Sequence, residues 1–87
     1  MLRVERSSNG EVIFRLSGRM DEDNIPDLEE LLKSEAPGRA IVLDLKDVTL
    51  VNKNAVTFLS HCERDGIKVK NCPAYIREWI TKQRGGS

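Results

Sequence analysis

The sequence predicts an α/β domain, a small mixed β-sheet covered by helices in the order β-β-α-β-α-β-α. Three observations predict it. Two arms of alternating apolar residues meet at Asn9-Gly10, the nearly continuous apolar run AIVLDL lies in mid-chain, and segments with helical apolar spacing separate the later strands. Strands that alternate with helices need crossover connections, so the later strands are expected to be parallel.

The segment LRVERSSNGEVIFRLSG reads as a hairpin. In its second arm Val12, Phe14 and Leu16 alternate with Ile13, Arg15 and Ser17, the period of a half-buried strand, and Leu2 and Val4 alternate in the first arm. Asn9-Gly10 favours the positive φ angles of a tight turn. MDEDNIPDLEELLKSE reads as a turn running into a helix. Pro26 suits the first helical turn, where its missing N–H is no loss, and the surrounding acids suit the positive end of the helix dipole. Leu28, Leu31 and Leu32 share one face, and Ala36-Pro37-Gly38 stops the helix. AIVLDL is the run expected of a strand buried on both faces. The next helix runs from Lys53 to Asp65, with Ala55, Phe58, Leu59 and Cys62 inward and Gly66 ending it. In the short strand IKVK, Ile67 and Val69 alternate with Lys68 and Lys70. NCPAYIREWITKQ is a last helix with Ile76, Trp79 and Ile80 on one face. Residues 1–83 read as one domain and residues 84–87, RGGS, as a flexible tail.

Composition narrows the function classes. A chain of 87 residues makes one small domain, burying roughly 60–65% of its unfolded surface. Net charge is zero with 32% charged residues, which excludes a disordered chain and argues against a general nucleic-acid binder. No stretch is long and apolar enough to span a membrane, and the opening MLRVERSSNGEV lacks the apolar core of a secretory signal. Cys62 and Cys72 do not make a disulfide framework, so a cytoplasmic location with reduced thiols is expected.

Neither a metal nor a cofactor is expected. His61 and Cys62 are adjacent, so on a helix they point in different directions, and no Cys-x-x-Cys is present. Cys62 falls on the apolar stripe and reads as a small core residue. Six of the residues 21–30 are acids, but they lack the spaced loop and turn glycine of a calcium site and read as a solvated face at a helix start. No phosphate-binding glycine loop, Ser/His/Asp set or recognisable carboxylate pair appears, so no catalytic residue is assigned. Tyr75 and Trp79, four apart on the last helix, read as core packing or mutual stacking, or as an aromatic interface spot. The end of the chain is mildly basic, with Lys68, Lys70, Arg77, Lys82 and Arg84 against Glu78.

The element order and three stretches resemble the STAS domain family, typified by bacterial anti-sigma factor antagonists. FRLSGRMDEDN looks like that family's second strand and its L-x-G-x-L-D turn, matched by Leu16, Gly18, Met20 and Asp21. AIVLDLKDVTLVNKNAV looks like the block ivLDLsgVtfiDSSGl, matched at Leu43, Asp44, Leu45, Val48 and Thr49. GIKVKNCP looks like the strand after the second helix with the loop that follows it. The resemblance covers nearly the whole chain and implies a STAS-like mixed sheet. It also implies a protein-interaction module whose DSSG loop carries a serine, phosphorylated by a partner kinase, that switches docking. A phosphate suits that place because helix N-termini expose N–H donors.

Here the switch loop departs from the pattern at every position. Asn52 replaces the aspartate, Lys53 the first serine, Asn54 the phosphorylated serine and Ala55 the glycine. Asn54 cannot be phosphorylated and, being uncharged, mimics the unmodified serine. Asn52, Lys53 and Asn54 make either a cap and a turn or a docking loop; the resemblance points to docking. Lys53, Thr57, Ser60 and Arg64 fall at i, i+4, i+7 and i+11, one polar stripe that is either a solvated face or the rim of a partner surface. The expected contact surface is therefore Asp21, Asn52, Lys53, Asn54, Thr57, Ser60 and Arg64. Its expected partner is an anti-sigma factor or serine-kinase-like regulator in bacterial transcription control. The alternative is a structural subunit of a larger complex, similar to the STAS components of lipid-transport ATPases. A small-ligand or nucleotide site, claimed by resemblance to some relatives, has no motif here.

Overall fold

A computed structural model of the chain describes residues 2–35 and 38–85. Its elements are β1 (Leu2–Asn9), β2 (Glu11–Met20), α1 (Ile25–Lys33), β3 (Ile41–Val51), α2 (Lys53–Arg64), β4 (Lys68–Lys70) and α3 (Ala74–Gly85). This is the order that the hydrophobic patterns predict. The strands lie in one mixed sheet in the order β1-β2-β3-β4, with β1 antiparallel to β2 and the other pairs parallel. Gly10 turns the hairpin at φ 84°, a conformation in which a side chain is strained.

Both crossovers, β2-α1-β3 and β3-α2-β4, step the same way across the sheet. Right-handed crossovers then put α1 and α2 on the same face. α3 joins them there: Ile76 and Ile80 are buried in one cluster with Leu28 of α1 and Ala55, Val56, Leu59 and Cys62 of α2. The sheet supplies Val12, Phe14, Leu16, Leu43 and Leu45 to that cluster. An ion pair between Arg77 and Glu63, 2.8 Å, ties α3 to α2 at the edge of the core.

The opposite face of the sheet is polar. The register sets Glu5 opposite Arg15, Arg15 opposite Asp44 and Asp44 opposite Lys70, a row of alternating charge across all four strands. Val42 and Asp44 on this face are nonetheless buried, so mid-β3 is covered on both sides, as its apolar run predicts. Asp44 Oδ1 accepts from Lys46 N at 3.0 Å and from Asn71 Nδ2 at 3.2 Å. Burial resists the ionisation of Asp44, but those hydrogen bonds, with Arg15 and Lys70 nearby, outweigh it and hold the carboxyl below its usual range. Asn71 reaches it from φ 55°, a left-handed conformation that asparagine tolerates.

A pH dependence follows. A carboxyl whose pKa is lowered by folding adds stability above its unfolded value and loses it as pH falls through the folded value. Thermal stability is expected to decline below about pH 4, the ordinary carboxylate range. Asp44→Asn is expected to lower the melting temperature at neutral pH and flatten that decline. A variant with the wild-type pH profile would contradict the role given to Asp44.

Several details differ from the sequence reading. β3 continues past Leu45 to Val51, because Val48 and Val51 return to the core after a register shift beyond Arg15. α1 ends at Lys33, and of its three leucines Leu28 is buried, Leu32 half-buried and Leu31 exposed. The expected stop at Ala36-Pro37 lies outside the described residues. On α2, Val56 is fully buried whereas Phe58 is half-buried. α3 takes in Arg84 and Gly85, which the sequence reading places in the tail; residues 86 and 87 lie outside the described ones. Tyr75 is exposed and does not pack in the core; its hydroxyl donates to the Thr49 carbonyl at 3.1 Å. Among the described residues, no helix is long and apolar enough to cross a membrane.

Candidate functional site

The parallel strands β2 and β3 deliver the loop residues to one end of the sheet. β2 ends at Met20 beside Val51 of β3, so Asp21 and Asn52 emerge from neighbouring strand ends. Clefts outside the carboxyl ends of parallel strands are the usual place for binding in α/β sheets.

Asn52 is the N-cap of α2. It sits in extended backbone, and its Oδ1 accepts from Ala55 N at 2.9 Å. This satisfies one of the N–H groups that a helix start leaves unpaired. The cap role thus falls on Asn52, while Lys53 and Asn54 already lie within the first turn. Both are exposed.

The amide nitrogens of Asn52 and Asn54 converge on a residue that the sequence reading does not select. Glu22 Oε2 accepts from Asn52 Nδ2 at 2.6 Å and from Asn54 Nδ2 at 2.9 Å. The bonds from Asn54 and then Asn52 lower the Glu22 pKa, so the carboxylate stays charged at neutral pH. Asp21 contributes indirectly. Its Oδ1 accepts from Asp23 N at 3.0 Å and its own N–H donates to Asn24 Oδ1 at 2.9 Å, closing the turn that carries Glu22 across to α2. Several acids are adjacent in MDEDN, and no local pattern says which one reaches a helix thirty residues on. Only the strand register selects Glu22.

The polar stripe on α2 divides. Lys53 and Arg64 are exposed, Ser60 is half-buried, and the Thr57 hydroxyl lies 3.1 Å from the Lys53 carbonyl and 3.2 Å from Gln83 Oε1 on α3. Thr57 is therefore partly engaged within the fold. His61, four residues on from Thr57, is exposed on the same outer face. A shallow groove between α1 and α2 is lined by Glu22, Ile25, Asn54, Thr57, Phe58 and His61. A second depression, at the strand ends, holds Arg19, Asp21, Glu22, Leu50 and Asn52. Leu50 is 48% exposed, a large apolar side chain beside the loop. The structure thus brings Asp21, Asn52, Lys53 and Asn54 together, adds Glu22 and Leu50, and places Ser60 and Arg64 further along α2.

Burial pushes the Cys62 thiol up to about 12, so the thiolate nucleophile is absent at neutral pH. Among the described residues, no group of three or more His, Cys, Asp or Glu is placed to hold a metal ion.

No protein-family model matches the chain, and no curated protein matches it. Solved structures do. The anti-sigma factor antagonist SpoIIAA, in its unphosphorylated form, aligns with a TM-score of 0.66 at 13% identity over 94% of this chain and 83% of that one. A Shewanella loihica protein of the DUF3478 family with a SpoIIAA-like fold aligns with a TM-score of 0.58 at 13% identity, over 98% of this chain and 78% of that one. A protein designated Mglu aligns with a TM-score of 0.62 at 20% identity; the alignment covers 83% of this chain but only 19% of Mglu. At these identities the likeness is one of fold. The four-stranded mixed sheet with its three helices is the SpoIIAA-like fold of STAS domains.

Proposed function

We propose that the chain is a non-catalytic protein-interaction module that docks a partner through the loop before α2 and the N-terminal half of that helix. The partner class is a regulator of the anti-sigma factor or serine-kinase type. Docking is non-covalent and takes place without phosphorylation at position 54, whose asparagine offers an uncharged side chain. The observation that carries this reading is the exposed Lys53–Asn54 pair at the start of α2, with exposed Leu50 in the depression that Asn52 lines, in a chain that aligns with SpoIIAA over nearly its whole length. A mixed apolar and polar patch of this kind is suited to a protein surface. The free thiols of Cys62 and Cys72 suit a reducing cytoplasm.

The test is capture from a lysate of the source organism with the purified chain as bait. Mass spectrometry reads both the retained proteins and any phosphate on the bait. A kinase-like regulator retained by an unphosphorylated bait is the expected result. A stable stoichiometric complex with a transporter ATPase would instead support a structural subunit. Phosphate on Thr49, Thr57 or Ser60 would contradict docking without a covalent switch.

A further inference from the structure

β1 is an edge of the sheet, and a long, regular one. It pairs with β2 from Leu2↔Gly18 to Asn9↔Glu11 without a register shift, whereas the β2–β3 pairing shifts after Arg15 and again after Gly18. The opposite edge, β4, has three residues. A straight edge presents a row of backbone donors and acceptors to any strand that can lie beside it, and scattered edge charges normally deter such pairing.

The charges on β1 are not scattered. On the helix-free face the row Lys70, Asp44, Arg15, Glu5 alternates in sign from β4 to β1 and stops at the edge on an anion. The next place in the row, one strand further out, calls for a cation. Arg3 lies two residues from Glu5 on the same face, its Nε 4.0 Å from Glu5 Oε1. Consider a second β1 laid antiparallel along the first about a two-fold axis through Val4. Arg3 then falls opposite Glu5 of the second copy, and Glu5 opposite Arg3 of the second copy. The row gains its cation on both sides, and the four charges alternate around a closed cluster.

The other face fits the same register. Val4, half-buried against the core, meets Val4 of the second copy. Leu2 meets Arg6 of the second copy. The Arg6 head is held by Glu35 through bonds of 2.9 and 3.0 Å, which leaves its aliphatic stem as the contacting surface.

We propose that β1 is a homodimerisation edge, pairing antiparallel with β1 of a second copy about Val4, with reciprocal Arg3–Glu5 contacts setting the register. The contact is isologous, so it closes at the dimer. Opposite charges directly across a strand pair favour the pairing and like charges oppose it.

Analytical ultracentrifugation of the chain over a wide concentration range tests this. A monomer–dimer equilibrium is expected. Arg3→Glu sets carboxylate against carboxylate at both contacts across the axis, and Glu5→Arg sets guanidinium against guanidinium. Each variant alone is expected to weaken dimerisation by about tenfold or more. Mixed in equal amounts, the two become complementary, one copy carrying two anions and the other two cations, and a heterodimer is expected. Circular dichroism identical to wild type confirms that both variants fold; Arg3→Glu, which lies opposite Ser17 and gives up only the exposed 4.0 Å pair with Glu5 within the chain, serves alone if Glu5→Arg, placed opposite Arg15, does not. A wild-type chain that stays monomeric, a dimer indifferent to Arg3→Glu, or open-ended assembly would overturn the proposal.

Discussion

Leu59→Ala is expected to cost about 2–5 kcal/mol in chemical denaturation. Leu59 is fully buried at the centre of α2, in the cluster where all three helices meet the sheet. Its truncation removes apolar contact and leaves a cavity that a close-packed interior refills only in part. A domain of 87 residues has only about 4–13 kcal/mol in total, so the loss is a large share of what holds it folded. Phe58→Ala, one position round the helix and half-buried, is expected to cost clearly less. Equal costs at the two positions would mean that α2 does not face the sheet in the orientation described.

Asn54→Asp is expected to weaken partner binding by about a hundredfold, the scale of like-charge juxtaposition in an interface. Two effects act together. The substitution puts a charge where the docking surface offers an amide, and it sets a carboxylate against Glu22, whose Oε2 lies 2.9 Å from Asn54 Nδ2. The second effect breaks a contact between the turn after β2 and the start of α2. A loss of affinity from this variant alone therefore does not separate a changed surface from a loosened one. Glu22→Gln combined with Asn54→Asp does. It keeps one amide and one carboxylate at the contact and moves the charge from position 22 to position 54. The carboxylate at 54 also lies near the positive end of the helix dipole, which favours it there.

The hydrophobic periods carry most of the fold, because one core with one helical layer leaves a clear apolar stripe on every element. They mislead where a residue's fate depends on a neighbour outside its own segment. Leu31 is on the right helix but turns past the core, and Tyr75 trades packing for a bond to the Thr49 carbonyl. Val56 escapes the pattern because it lies one position from Ala55, outside the stripe that the spacing marks on α2; it is nonetheless fully buried in the cluster that α2 shares with the sheet and the other helices. The site is legible in part for the same reason. The loop Asn52-Lys53-Asn54 is contiguous and stands out as a sequence. Glu22 lies thirty and thirty-two residues away from the asparagines it binds. Its role follows from the parallel register of β2 and β3, which no local pattern encodes.

The central claim is that docking reads the uncharged side chain at position 54. The most direct measurement is a calorimetric titration of the captured regulator into wild type and into Glu22→Gln/Asn54→Asp, at matched melting temperatures. The expected result is a folded double variant that has lost most of its affinity although its net charge is that of wild type. Equal affinities would contradict the claim and move the interface away from the start of α2.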